Sequence, residues 1–197
     1  MFGQIMDSIE KKLKQSVVGI AGLGGLGSVV AVELVRAGIG TLIIADFDVV
    51  EKVNLNRQHY FLDQLGKTKV EATVENILRI DPEIEINTCD QKINAGNVLE
   101  IFAGSDVIAE CFDATEEKQM IVETVLGRTD TPIVAVSGLA GYGNSNAIET
   151  KRISGQLVLI GDNESGIDSI ELLTAARVWT AASHQANAIL ELLIDEL

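Results

Sequence analysis

The chain has 197 residues, with 15 Lys and Arg against 29 Asp and Glu, a net charge of −14 and 47% hydrophobic residues. That length fits one domain with a substantial core, while the acidic balance disfavours nucleic acid and anionic membranes, whose affinity comes from Lys and Arg displacing counterions. Two cysteines, Cys89 and Cys111, are too few for a disulfide framework or a four-cysteine zinc site and fit a reducing cytoplasm.

Over residues 2–14, apolar Phe2, Ile5, Met6, Ile9 and Leu13 recur at three- and four-residue steps, and Lys11, Lys12 and Lys14 close the segment. This predicts an amphipathic helix with cations at the end where the helix dipole favours them. Asp7 and Glu10 interrupt its apolar residues too early for a signal peptide, and no stretch approaches the ~20 apolar residues of a membrane span. Val17–Ala21 is a continuous apolar run, the pattern of a strand buried on both faces. Gly22-Leu23-Gly24-Gly25-Leu26-Gly27 follows at once, then Val30, Ala31, Leu34 and Val35 mark a helical face up to Gly38. A second strand, Thr41–Ala45, ends in Asp46-Phe47-Asp48, completing a βαβ unit.

Further on, residues 69–80 read as a helix stopped by Asp81-Pro82, because the residue before proline avoids the helical region. Ile84 and Ile86 alternate with Glu83 and Glu85 in an extended segment, and 98–103 predicts a short helix closed by Gly104. Residues 106–112 predict a strand ending at Asp113, 116–127 a helix with Met120, Ile121, Thr124 and Val125 inward, and 132–136 another strand. After a loop punctuated by Gly138, Gly141 and Gly143, the runs 147–153 and 156–160 can pair antiparallel. A polar loop at 161–166 leads to a helical pattern over 172–197, striped by Ala175, Val178, Ala182, Ala186, Ile189, Leu190 and Leu193. The expected fold is α/β: a Rossmann-like, doubly wound, mostly parallel sheet with a C-terminal antiparallel strand pair and a long C-terminal helix. It forms one domain over 1–197, divided into an N-terminal helix (1–16), a nucleotide-binding core (17–138) and the final strands and helix (139–197).

The glycine turn Gly22-x-Gly24-x-x-Gly27, with Gly25 inside it, lies between a strand and a helix, where backbone N–H groups can face a phosphate. Asp46 stands at the end of the next strand, placed to accept ribose hydroxyls. Arg57 and Lys69 supply the cations that attack at phosphorus requires and hydride transfer does not, Arg as a planar fork and Lys as a point charge. Asp113, at the carboxyl end of a predicted strand, suits a Mg²⁺ shared with substrate phosphates, and can also cap the following helix. Cys111 reads as a buried small hydrophobe and Cys89 has no activating neighbour. His59 reads as structural and His184 as satisfying a local hydrogen bond, while Trp179 and Tyr142 either pack or line a channel.

Together, Gly22 to Ser28, Asp46-Phe47-Asp48, Asn54-Leu55-Asn56-Arg57-Gln58, Gly66-x-x-Lys69 and Asp113 resemble the ThiF/MoeB/HesA superfamily, relatives of the ubiquitin-activating enzymes. The segments Gly138 to Asn146 and Ala182 to Asn187 look closest to its short ThiF group, which adenylylates the sulfur carrier ThiS. The resemblance implies that the C-terminal Gly-Gly carboxylate of a ubiquitin-like sulfur carrier attacks the α-phosphate of MgATP, giving an acyl-adenylate and pyrophosphate. By the same resemblance Asp46 and Asp48 belong to the ATP site, Asn54, Arg57 and Lys69 contact the phosphates, Asp113 binds Mg²⁺, and the enzyme is a homodimer. Larger members hold zinc with two Cys-x-x-Cys pairs, absent here, so no zinc is expected. No cysteine follows Asp113 to join the carrier covalently, which implies a separate sulfur donor protein. Related enzymes also borrow an arginine from the partner's N-terminal region; here no arginine precedes Arg36, leaving Lys11, Lys12 or Lys14 as substitutes. The competing readings are activation of a molybdopterin-type carrier or a small carboxylate, an NAD-dependent oxidoreductase on the same βαβ unit, and a non-catalytic module that only binds a carrier.

Overall fold

The structure, a computed structural model, describes residues 2–165 and 173–194, with the side chains of 2–4 excepted. In chain order the elements are α1 (Phe2–Gln15), β1 (Val17–Ala21), α2 (Gly27–Ala37), β2 (Thr41–Ala45), α3 (Lys69–Leu78), β3 (Glu85–Cys89), α4 (Val98–Ile101), β4 (Val107–Glu110), α5 (Thr115–Arg128), β5 (Ile133–Val136), β6 (Glu149–Arg152), β7 (Leu157–Gly161) and α6 (Ala175–Ile194). Single 3₁₀ turns occupy Lys52–Asn56, Leu62–Gln64 and Ser145–Ala147.

The strands form one sheet in the order β3-β2-β1-β4-β5-β7-β6, parallel except for β6 against β7. Alternate residues of the parallel strands enter different layers. Val18, Ile20, Leu42, Ile44, Val107 and Val134 pack against α1, α2, α3 and α6, while Ala21, Ile43, Ala45, Ile108 and Ile133 pack against α4 and α5. The continuous apolar runs are the consequence, since both faces of the sheet are covered. The outer strand β6, Glu-Thr-Lys-Arg, is exposed throughout, and its charges guard the sheet edge against further pairing.

Several boundaries differ from expectation for local reasons. The strand predicted over 106–112 is only β4, because Asp106 accepts the N–H of Val17 at 2.8 Å and Glu110 bends back to accept that of Phe112 at 2.7 Å. The helix predicted over 69–80 ends at Leu78, with Ile80 and Asp81 both donating to the carbonyl of Ile77. The run predicted over 147–153 starts later because Ser145–Ala147 turns before β6. α5 is flanked by Ala114 without a side-chain cap, so Asp113 does not serve as its N-cap. In α6 the predicted stripe is buried at Val178, Ala182, Ala186, Ile189 and Leu193 and half-buried at Ala175 and Leu190. The helix predicted over 172–197 begins only at Ala175, Leu173 instead bridging to Gly141, and its predicted ends, Leu172 and 195–197, lie outside the described residues.

Candidate active site

β1 delivers the chain to the carboxyl edge of the sheet between β2 and β4, where the crossovers diverge to either side. Open α/β sheets leave a ligand crevice at such a switch point. Here it is a cleft of about 550 Å³ whose wall includes Gly22, Gly24, Gly25, Asp46, Asp48, Arg57, Gln58, Lys69 and Asp113. Residues separated by more than ninety positions thus meet in one crevice, and both cations reach it together with the glycine turn.

The turn needs its glycines for different reasons. Gly22 lies at φ +92°, and a Cβ there would stand 3.0 Å from the carbonyl oxygen of Cys111. Gly27 is not part of the cleft wall: a Cβ on it would overlap the carbonyl oxygen of Gly22, so its bareness lets α2 start directly on the end of β1. Asp46 is buried, its Oδ2 accepting from the N–H of Leu23 at 2.6 Å and its Oδ1 from that of Asp48 at 2.8 Å. The carboxylate therefore ties the end of β2 to the turn.

Lys69 opens α3, whose N-cap Thr68 exchanges hydrogen bonds of 3.1 Å with Glu71 in a capping box. Its ammonium is buried, 2.6 Å from Asp48 and 3.7 Å from Asp46. Below it the Tyr60 hydroxyl donates to the carbonyl of Leu23 at 2.8 Å and meets Thr73 at 3.0 Å, and burial pushes this phenol far up. Arg57 follows the 3₁₀ turn Lys52–Asn56, with Nη1 2.9 Å from Asn56 Oδ1. Asn54 is absent from the cleft wall: its Oδ1 accepts the N–H of Glu51 at 2.9 Å and shapes the turn that leads to Arg57. Exposed Asp113 borders the cleft.

Several residues to which the sequence assigns no role gain one from the fold. Gln58 is buried at the cleft, and its Oε1 has no hydrogen-bond partner among the described residues. Glu110 is fully buried, and its oxygens each lie 3.1 Å from Lys118 Nζ. Desolvation pushes the Glu110 carboxyl up, opposed by Lys118 and by the N–H groups of Phe112 and Val136. Gln185 donates to the carbonyls of Glu110 and Val134 at 2.9 and 2.8 Å and accepts from the Cys111 thiol at 3.4 Å. Burial and then the Glu110 charge push that thiol up, which fits the expected inert, buried cysteine. Arg177, in α6, holds the carbonyls of Gly143 and Asn144 at 3.0 and 2.8 Å and Asp162 at 2.8 Å. Burial alone would raise the Asp162 carboxyl, but donors from Ser165, Glu164 and Arg177 outweigh it and bring it to about 2. His184 bonds Thr150 of β6 at 3.0 Å, a partner 34 positions away rather than the local one expected.

A doubly wound sheet with a glycine turn, an acid closing β2 and two cations in one crevice defines a nucleotide-type α/β site. The sequence matches the ThiF family over residues 1–193, and the chain belongs to that family. Among its relatives, the sulfur carrier protein ThiS adenylyltransferase of Escherichia coli (strain K12) is 31% identical over 142 residues, covering 72% of this chain and 56% of that protein. Ubiquitin-like modifier-activating enzyme 5 of Oryza sativa subsp. japonica is 32% identical over 140 residues, covering 64% and 33% respectively. The chain thus spans between a third and somewhat over half of these two curated relatives. In fold it is similar to the E. coli tRNA N6-threonylcarbamoyladenosine dehydratase TcdA crystallised with ATP, at a TM-score of 0.85, 20% identity and coverage of 99% of this chain and 94% of that one. E. coli MccB with ATP gives a TM-score of 0.73 at 24% identity, over 96% of this chain and 59% of that one.

Proposed function

We propose that the cleft binds ATP and that the protein adenylylates the C-terminal glycine carboxylate of a ubiquitin-like sulfur carrier ending in Gly-Gly, ThiS in thiamine thiazole biosynthesis being the favoured carrier. The observation that supports this most is the convergence of Arg57 and Lys69 on the crevice of the glycine turn. Gln58 adds to it, because a buried acceptor without a partner suits a ligand that donates, as ribose hydroxyls do. Family membership and the name of the E. coli relative favour a protein carboxylate over a hydride acceptor.

In this scheme a carboxylate oxygen of the carrier forms a bond to the α-phosphorus, the bond from that phosphorus to the bridging oxygen breaks, and pyrophosphate leaves with the electron pair. The carboxylate is already ionised at neutral pH, so no general base is needed. The protein's work is alignment and charge stabilisation: Asp46 and Asp48 hold the nucleoside end, the turn holds the phosphates, and Arg57 and Lys69 meet the charge that builds on the oxygens. Among the described residues no three His, Cys, Asp or Glu side chains group to cage a metal. Asp113 would hold Mg²⁺ as one carboxylate beside the substrate phosphates, the mode typical of this ion, which supplies further charge neutralisation when bound.

The segment 139–197 would face the carrier, and a separate protein would supply sulfur. The reading needs no zinc, nucleic acid or membrane, and sets the enzyme in the cytoplasm as a homodimer. The test is pyrophosphate release with purified carriers, together with mass spectrometry of each carrier. With a ThiS-type carrier, ATP is consumed and the carrier gains one AMP. Modification of a molybdopterin-type carrier alone would move the substrate while keeping the reaction. No turnover with any Gly-Gly carrier, combined with NAD(H) outcompeting ATP for the cleft, overturns the reading.

A further inference from the structure

We propose that Trp179, on α6, positions Arg57 for the ATP phosphates through one hydrogen bond from its indole N–H to the Arg57 carbonyl; this rests on the ATP reading above. The bond measures 2.8 Å and joins residues 122 positions apart. Arg57 needs an external brace because its side chain has little of its own. Nη1 reaches Asn56 Oδ1 at 2.9 Å and the Val53 carbonyl only at 3.4 Å, and among the described residues no carboxylate pairs with the guanidinium. Lys69, by contrast, is aimed by Asp48. Both bonds of the Arg57 side chain are to the loop that carries it, so where its fork points follows the path of that loop.

The loop's main chain is pinned in succession from three helices. The Arg57 and Gln58 N–H groups close onto the Asn54 carbonyl at 3.1 and 2.9 Å. Ser28 of α2 accepts the His59 N–H at 3.0 Å, and Asn76 of α3 donates to the His59 carbonyl at 2.9 Å. Trp179 supplies the third pin, and the one on Arg57's own peptide. Its neighbour Val178 packs against Gly25, where a Cβ would approach to 2.9 Å, and the Arg57 carbonyl lies 3.7 Å from that same point. Residues 178 and 179 therefore brace the phosphate turn and the arginine segment against one another. The His59 ring lies 6.0 Å from the Trp179 ring.

Trp179→Phe keeps a ring in place and removes the donor. Calorimetric titration with ATP and with adenosine separates positioning from general loosening, because adenosine has no phosphates for Arg57 to hold. The expected result is about five-fold weaker ATP binding, the scale of one lost neutral hydrogen bond, with adenosine binding unchanged and no further loss when the change is made on top of Arg57→Ala. Trp179→Met, a second way to fill the space without a donor, gives the same pattern. Equal weakening of ATP and adenosine, an undiminished effect in the Arg57→Ala background, or no effect at all overturns the proposal and leaves the ATP reading standing. Wild-type protein that binds no ATP overturns both.

Discussion

Two lysines border the cleft, and their surroundings give them opposite uses. Lys118 lies against Glu110, whose side chain is wholly inaccessible, and also donates to the Val136 carbonyl at 3.0 Å. Lys69 is the more buried lysine and lies 3.7 Å from buried Asp46, yet the carboxylate nearest to it, Asp48 at 2.6 Å, is half exposed. A charge locked to an inaccessible partner and a strand end cannot turn to a ligand without stranding that partner. A charge whose partner keeps contact with water can be shared with an incoming phosphate. Accessibility of the counter-charge, rather than of the lysine, separates the structural cation from the one assigned to chemistry.

Breaking the locked pair has the largest expected effect. Lys118→Met leaves the Glu110 charge buried and unpaired and costs about 3–5 kcal/mol of unfolding free energy, measurable by urea denaturation. Removing a cation assigned to the reaction acts on turnover. Arg57→Ala or Lys69→Met lowers carrier-dependent pyrophosphate release about 10²–10³-fold, the scale of one lost donor to a developing anion. The Lys69 change should move the urea midpoint less than Lys118→Met does.

Acid sharpens the contrast in a third way. Asp162 is held at about 2, below its ordinary 3.8, so its bonds to Arg177, Glu164 and Ser165 contribute stability above pH 3.8 that is lost as pH falls toward 2. Asp162→Asn flattens that part of the stability profile, and denaturant midpoints across the acid range would reveal it. The smallest change is Asn54→Ala, which removes a capping bond, costs about 1 kcal/mol and leaves adenosine affinity unaltered by calorimetry.

The sheet was legible because its strands are covered on both faces. Val17–Ala21 and Thr41–Ala45 match their predicted limits to the residue. β4 was overestimated because two acids, Asp106 and Glu110, turn back on the main chain at its ends, which an apolar run cannot signal. Gly22, Asp46, Arg57, Lys69 and Asp113, singled out from the glycine turn, the strand ends and the cations, do line one cleft. Gln185, Arg177 and Trp179 were not legible in this way, because each gains its meaning from a partner on a distant element: the Gln185 bond to Glu110 spans 75 positions. Within α6 the sequence leaves Trp179 open between packing and lining a channel, and gives Arg177 and Gln185 no partner. Asn54 and Gly27 show the converse, since their spacing places them beside Arg57 and the glycine turn while their contacts are with the backbone around them.

The central claim is that the Arg57 guanidinium and the Lys69 ammonium act together on a triphosphate in the crevice of the glycine turn. Carrier-dependent exchange of labelled pyrophosphate into ATP tests it most directly, run with wild type, Arg57→Ala and Lys69→Met. The account predicts exchange in wild type that falls by about two orders of magnitude or more in each variant. Undiminished exchange in either variant contradicts it.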